Sequence, residues 1–515
     1  MRQQLELDAV DKYVKVNVDQ FHGIEIEDWP AQIAKTAMWL MDHQMNIAIS
    51  KEFGNAFVRI PLVKSANIVQ GNALQLDWTQ IIPPQQCSYI LGNPPFVGHQ
   101  YRNKIQMEDM QAVWGKEGRY RRLDYVSCWY YLATNYMKAN PDIRTAFVST
   151  NSICQGEQVG ILWAQLIGQG VIIHFAHRTF QWSSDAPGSA AVHCIIVGFG
   201  LNQADHYLIF DYENAKGEPH IVNAQKINPY LIDAENIILP SRNRPMQGLS
   251  AMLKGSQPTD GGHLILSEDE RNQIIEQFPF TEEWIRSYIG GREFINGKLR
   301  YCLWLKNVSP AEIRKVKPIM ERIESVAKSR LKSPTPSVRQ WAENPTLFTQ
   351  DRQPENSYLA IPEVSSERRK YIPIGFLSEK IVASNKLQII RDGSLYMFGV
   401  LSSVMHNAWM RSVGGRLKSD YSYSPSVYNN FPWPEPTATQ RRQIENTAQA
   451  ILDARANHPE ATLADLYDPL TMPQDLRQAH HANDQAVDKA YGKQTFTTEA
   501  ERVGFLFQRY QMLIE

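Results

Sequence analysis

The chain has 515 residues, with 53 Lys+Arg against 54 Asp+Glu and a formal net charge of −1; at roughly 150 residues per domain this predicts about three domains with full hydrophobic cores. Hydrophobic residues make up 43% and charged residues 21%, which excludes disordered and collagen-like classes. With no apolar run of about eighteen residues and no basic-then-apolar leader, neither a membrane span nor a secretory signal is expected.

The first half alternates strand-like and helix-like runs. Phe21–Glu27 reads as a short strand ending in acids, and Ala31–Met45 as a helix with Ile33, Ala34, Ala37, Met38 and Met41 on one face. Ala66–Gln70 is strand-like and leads into a turn at Gly71-Asn72. Ser88–Leu91 is a short apolar strand stopped by Gly92-Asn93-Pro94-Pro95, and Val126–Met137 is an aromatic-rich helix. Thr145–Ser149 and Gly170–Phe175 read as strands with a helix near Gln158–Ile167 between them, and Val192–Phe199 is a continuous apolar strand. This alternation predicts a mostly parallel, doubly wound α/β sheet. Residues 240–262, rich in Ser, Pro, Gly and Arg, read as a linker or loop entry. The next stretch, to about 430, is irregular, with a basic helix near Ala311–Leu331. Pro432, Pro434 and Pro436 punctuate the chain, after which Thr437–Ala456 and the tail read as helical.

The five cysteines, Cys87, Cys128, Cys154, Cys194 and Cys302, form no CxxC pair. No metal site or disulfide framework is expected, and a reducing cytoplasm fits. The near-zero charge conceals an uneven chain. From Gly291 to Asp420 there are 22 Lys+Arg against 12 Asp+Glu, leaving 31 against 42 elsewhere. Such a basic block is either a solvated surface or an electrostatic footprint for nucleic acid.

The chemistry concentrates at Asn93-Pro94-Pro95-Phe96. Ligands of open α/β sheets bind beyond the carboxyl ends of strands, where this turn falls. The exocyclic amine of a purine is a poor nucleophile because its lone pair is shared with the ring. The Asn93 side-chain oxygen and the Pro94 carbonyl can accept both amine hydrogens, tipping the nitrogen towards tetrahedral geometry and freeing the lone pair. Two prolines stiffen the turn, and Phe96 offers a stacking face. The plainer alternative is an Asn-Pro turn. In Gly23-Ile24-Glu25-Ile26-Glu27, an acid at a strand end suits ribose hydroxyls or is simply solvated. Asn72 suits an adenine edge or a turn equally.

In order, GIEIE, GNALQLDW and GNPPF, followed by RRLDYVSCWYY (121–131), FVSTNSICQGEQ (147–158) and FQWSSDAPGSAAVHCIIVGF (180–199), resemble the motifs of MmeI-like enzymes. In this restriction–modification family one polypeptide can methylate and cleave DNA. FGVLSSVMHNAWMRSVGGRLKSDYSYSPSVYNNFPWPEP (398–436) and ADLYDPLTMPQDLRQAH (464–480) extend the resemblance over nearly the whole chain. It implies a Rossmann-like class I methyltransferase sheet in residues 1–239, an α+β target-recognition domain in 240–436 and a C-terminal helical region in 437–515. The implied activity is transfer of a methyl group from S-adenosylmethionine to the N6 amine of an adenine flipped out of double-stranded DNA. Asn93, Pro94, Pro95 and Phe96 match the catalytic tetrad. Glu25, with Glu27 beside it, matches the ribose-binding acid, and Asn72, followed by Ala73, matches the position that recognises the cofactor adenine. Phe180 or Trp182 would wall the target base, with core packing as the alternative. The basic block would meet DNA phosphates through Arg314, Lys315, Lys317, Arg322, Lys328, Arg330 and Lys332, through Arg368, Arg369 and Lys370, and through Arg411, Arg416 and Lys418.

The chain departs from the family twice. The family carries a strand and a Gly-rich turn before the ribose acid, but the twenty residues before Phe21 contain no glycine. The sheet is therefore expected to lack its first strand, with a second polypeptide as the source of the missing segment. No Glu-x-Lys triplet of the family's nuclease occurs, so cleavage is not expected. The alternative to the enzyme is a non-catalytic DNA-binding remnant or a split subunit.

Overall fold

The computed structural model describes residues 15–53, 64–115, 119–182, 192–212, 217–417, 420–492 and 496–515. The chain divides into two compact units. The first comprises residues 1–153, 161–180 and 194–223; the second comprises 154–160, 181–193 and 224–515.

The first unit opens with a β–α–β arrangement. Strand β1 (His22–Glu25) pairs in parallel with β2 (Asn67–Gln70), in the register His22↔Asn67 to Glu25↔Gln70. Helix α1 (Asp28–Phe53) lies between them in sequence and is longer than its periodicity predicts. Its inner face also differs. Ile33 and Met41, expected to be covered, are 49% and 51% exposed, whereas Ala31 and Asn46 are buried. The apolar stripe is only partly covered: Ala34 and Met38 are half-buried, whereas Ala37 is exposed.

Six further strands form one sheet in the order β3 (Tyr89–Gly92), β4 (Arg144–Thr150), β6 (Val192–Gly200), β5 (Ile172–Trp182), β7 (Tyr207–Asp211) and β8 (His220–Ala224). The sheet is mixed rather than mostly parallel. β3 runs parallel to β4 and β5 to β7, but β6 is antiparallel to β4. Helix α2 (Lys104–Trp114) follows β3, α3 (Ser127–Met137) precedes β4, and α4 (Gly156–Gly168) precedes β5. The aromatic residues of α3 explain its seat. Tyr130 stacks on Phe199 of β6 at 5.2 Å and meets Phe147 of β4 edge-on at 5.2 Å. Its hydroxyl lies 2.9 Å from Ser149 Oγ, so the phenol is buried without losing a polar partner.

The second unit contains small sheets and a helical layer. Helix α5 (Lys317–Leu331) buries Ile319, Ile323 and Val326 in a cluster with Leu264, Tyr288 and Leu303. Another cluster forms around Tyr358, Ala360, Leu387 and Ile389. Helix α6 (Leu395–Leu401) lies close to α8 (Ala438–Ala456), because a Cβ on Gly399 would fall 2.7 Å from Ile444 Cγ2. Polar bonds fix the same contact with α9 (Gln474–Ala490). Asn483 Nδ2 donates to the Gly399 carbonyl at 2.8 Å, and Thr447 Oγ1 donates to Asn483 Oδ1 at 3.1 Å. Between α6 and α8 in sequence, helix α7 (Val404–Val413) buries Trp409 against Phe507 of α10 (Glu499–Ile514). Among the described residues no helix is long and apolar enough to cross a membrane.

Candidate functional site

Asn93 follows directly on Gly92, the last residue of β3, so it lies beyond the carboxyl end of that strand. The strand end is tight, since a Cβ on Gly92 would come within 3.2 Å of the Phe147 ring. Pro94 is buried and anchors the turn, Phe96 is half-buried, and Asn93 and Pro95 are exposed. The Asn93 amide has no hydrogen-bond partner among the described residues, so both its donor and its acceptor are available. The loop is held from behind, because the Tyr125 N–H donates to the Val97 carbonyl at 3.0 Å. Beside it, at the carboxyl end of the neighbouring β4, Thr150 Oγ1 donates to the buried Asp124 at 3.1 Å.

Phe180 is brought to the same end of the sheet. Asn151, the residue after β4, donates to Thr179 Oγ1 at 3.5 Å, and Phe180 is next in sequence. Its ring is half-buried and stacks on Tyr212 at 5.5 Å. Tyr212 in turn bonds His177 Nδ1 at 2.8 Å, and His177 lies flat on Phe210 at 4.1 Å. Burial lowers the His177 pKa, which keeps the imidazole neutral in this aromatic row. The sequence did not single out Tyr212. Trp182 ends β5, and its side chain lies outside the described residues.

The residues read as cofactor-binding also converge. Glu25 ends β1, and its carbonyl accepts the Gly71 N–H at 2.8 Å, so Glu25 and Asn72 stand at adjacent carboxyl ends of parallel strands. Glu25 is half-buried, whereas Glu27 is exposed and its carbonyl accepts the Ala31 N–H at the start of α1. Asn72 is not a plain turn residue. Its Oδ1 accepts the Leu74 N–H at 2.9 Å, and its Nδ2 donates to the buried Asp109 on α2 at 3.0 Å. The Ala73 carbonyl accepts Trp78 Nε1 at 2.8 Å. Nothing local in the sequence marks Asp109. A cavity of about 380 Å3, lined by Arg144, His174, His177 and Phe210 among others, includes the start of β4. It therefore reaches the end of the sheet opposite Asn93.

The basic residues of the second unit fall into two groups. Arg314, Lys315, Lys317, Lys328, Lys332, Arg368 and Lys370 are exposed; Lys317 has only a 3.9 Å pairing with Glu321. The others serve the fold. Arg322 pairs with Glu270 and donates to the His263 carbonyl at 3.0 Å. Arg411 grips Glu499 with bonds at 3.0 and 2.6 Å, and Arg416 pairs with Glu367 at 3.1 Å while lying over Tyr421. Arg369 is half-buried, with its Nε buried, and burial lowers its pKa. Arg330 is enclosed by backbone carbonyls. Lys418 lies outside the described residues.

Comparison with known proteins agrees along the whole length. "DNA methyltransferase A" of Bacillus subtilis (strain 168) is 39% identical over 507 residues, which is 97% of this chain and 56% of that protein. The chain thus spans little more than half the length of that relative. A solved structure of the type IIL restriction-modification enzyme MmeI in complex with DNA matches with a TM-score of 0.88 and 47% identity, over 100% of this chain and 69% of that one. Family models match in series: the MmeI DNA-methyltransferase domain over residues 1–211, the MmeI target recognition domain over 233–435 and the MmeI C-terminal domain over 437–515. With that order of domains and that identity to MmeI, the chain belongs to the MmeI family.

Proposed function

We propose that this chain is a DNA methyltransferase that uses S-adenosylmethionine to methylate the N6 amine of adenine in double-stranded DNA, within a restriction–modification system. The observation that carries the reading is Asn93, whose amide is unpartnered among the described residues at the carboxyl end of β3. The division of labour follows the sequence: residues 1–239 for catalysis, 240–436 for site recognition and 437–515 as a helical support.

Asn93 Oδ1 and the Pro94 carbonyl accept the two hydrogens of the target amine, which localises the nitrogen lone pair. Phe96 stacks on one face of the extruded base, and Phe180, fixed by Tyr212, or Trp182 closes the other. The cofactor supplies a methyl group activated on a sulfonium. Glu25 accepts the ribose hydroxyls of that cofactor, with Glu27 as the next acid along. Asn72 Oδ1, which keeps a lone pair after taking the Leu74 N–H, accepts the adenine amine beside Ala73. The rate then comes from alignment and electrostatics, with no covalent enzyme intermediate. The exposed cations Arg314, Lys315, Lys317, Arg368 and Lys370 meet phosphates, which orient the duplex without reading it.

The test is methyl incorporation from labelled S-adenosylmethionine into duplex DNA, with Asn93→Ala as the control. Incorporation that survives this substitution refutes the reading. A second reading, in which another polypeptide segment completes the catalytic unit, is favoured by uncovered apolar surface. Tyr89 and Leu91 on β3 are 68% and 76% exposed, and Trp29 on α1 is 74% exposed. Among the described residues β3 has a strand on one side only. Activity that appears only when the remaining segment of the longer relatives is added decides for it.

A further inference from the structure

Asp109 is a buried carboxylate that the proposed chemistry does not use. It lies on α2 and is 2% exposed, and no described Lys or Arg pairs with it. Such a charge is tolerated only when hydrogen bonds replace its water. Three side chains from two other segments supply them. Asn72 Nδ2 and the Tyr125 hydroxyl donate to Oδ2 at 3.0 and 2.6 Å, and Gln75 Nε2 donates to Oδ1 at 2.8 Å.

This arrangement fixes an orientation. Asp109 Oδ2 accepts from the NH2 side of the Asn72 amide. Oδ1 is thereby turned to the Leu74 N–H, with its second lone pair left over. Tyr125 extends the connection. Its phenol donates to Asp109, and its backbone N–H donates to the carbonyl of Val97, the residue after Phe96. A continuous path therefore runs from the Asn72 turn through Asp109 and Tyr125 to the Asn93 loop.

We propose that Asp109 and Tyr125 are positioning residues that lock the turn bearing Asn72 to the loop bearing Asn93, so that cofactor and target amine are held in fixed register. The role in register rests on the methyltransferase reading; the lock itself does not. Burial and the neighbouring carboxylate push the Tyr125 phenol upward, so it stays a donor across the working pH range.

The experiment combines amide hydrogen exchange, S-adenosylmethionine calorimetry and single-turnover methyl transfer on the full chain. Tyr125→Phe removes one hydroxyl and leaves the Val97 bond. It should raise exchange at residues 72–76 and 96–98 together, by about tenfold, and slow methyl transfer about tenfold, while the cofactor dissociation constant moves less than about twofold. Asp109→Asn should stay close to wild type, because Gln75 can turn its own amide to match while Asn72 and Tyr125 keep their acceptor. Asp109→Leu should exceed Tyr125→Phe in both readouts, and its melting temperature separates this from failure to fold. Exchange that rises only around residue 125, or an unchanged transfer rate in Tyr125→Phe, overturns the proposal. So does an Asp109→Asn variant as impaired as Asp109→Leu. If the joint exchange pattern holds but the wild type neither binds cofactor nor transfers methyl, the lock stands and the methyltransferase reading falls.

Discussion

Arg330 separates the basic residues that build the fold from those proposed to meet DNA. It is 1% exposed near the end of α5. Nε donates to the Thr259 carbonyl at 3.0 Å, Nη1 to Trp341 and Asn344 at 3.0 and 2.8 Å, and Nη2 to Pro258 and Leu347 at 2.8 and 2.7 Å. A guanidinium has five N–H donors, so none remains for a phosphate. Burial lowers its pKa, but an arginine so enclosed stays charged at neutral pH. Arg330→Met keeps most of the apolar volume and removes every bond. Charge-assisted bonds contribute about 1.5–3 kcal/mol each. Water reaching some freed carbonyls and relief of the guanidinium's desolvation offset much of that sum, so the net loss is about 4 kcal/mol. At about 2–4 °C per kcal/mol for a domain of a few hundred residues, the unfolding transition should fall by about 8–16 °C. Calorimetry measures the transition, and DNA titrations at several salt concentrations measure the phosphate contacts. An Arg330→Met protein with an unchanged transition but weaker, less salt-sensitive DNA binding would refute this assignment.

The exposed cations should behave in the opposite way. Arg314→Ala or Lys317→Ala should leave the melting temperature within about 2 °C and reduce the slope of log K against log salt by about 0.9 each, read by fluorescence titration. Arg411→Ala, which frees Glu499, should lower stability by about 2 kcal/mol without moving that slope. Asn93→Ala should reduce methyl incorporation by at least about 100-fold with DNA affinity retained, as measured in parallel transfer and binding assays. Burial raises the Asp484 carboxyl from 3.8 to about 6, although Tyr371 and the Val404 N–H donate to it. Because the folded state holds this proton more tightly, its stabilisation is complete below pH 3.8 and is lost as pH rises through about 6. This amounts to about 3 kcal/mol. Asp484→Asn, which cannot titrate, should show a flatter stability curve than wild type over that window in denaturant titrations; parallel curves would overturn this account.

The legible parts were those in which neighbours in sequence are also neighbours in space. The apolar run Ser88–Leu91 and its Pro stop announced β3 and the Asn93 turn within one residue. Thr437 was readable as the start of a helix, and it caps α8 through the Gln440 N–H. Periodicity found the apolar stripe of α1 but not whether anything packs on it, because a repeat of 3.6 records a face and not its partner. The direction of β6 escaped for a similar reason, since an apolar strand reads alike in either orientation. Arg330 looked like a phosphate contact because its acceptors include Pro258 and Thr259, 72 and 71 residues away in sequence.

Asn72 shows where that boundary falls within one side chain. GNALQLDW identified the residue and left it divided between a turn and an adenine edge. The fold shows the turn: Oδ1 organises it through Leu74, and Asp109, 37 residues onward, holds Nδ2. A local motif can thus point to a residue, but the orientation of its amide is decided by a carboxylate on another helix. That carboxylate becomes visible only when burial is traced to its donors.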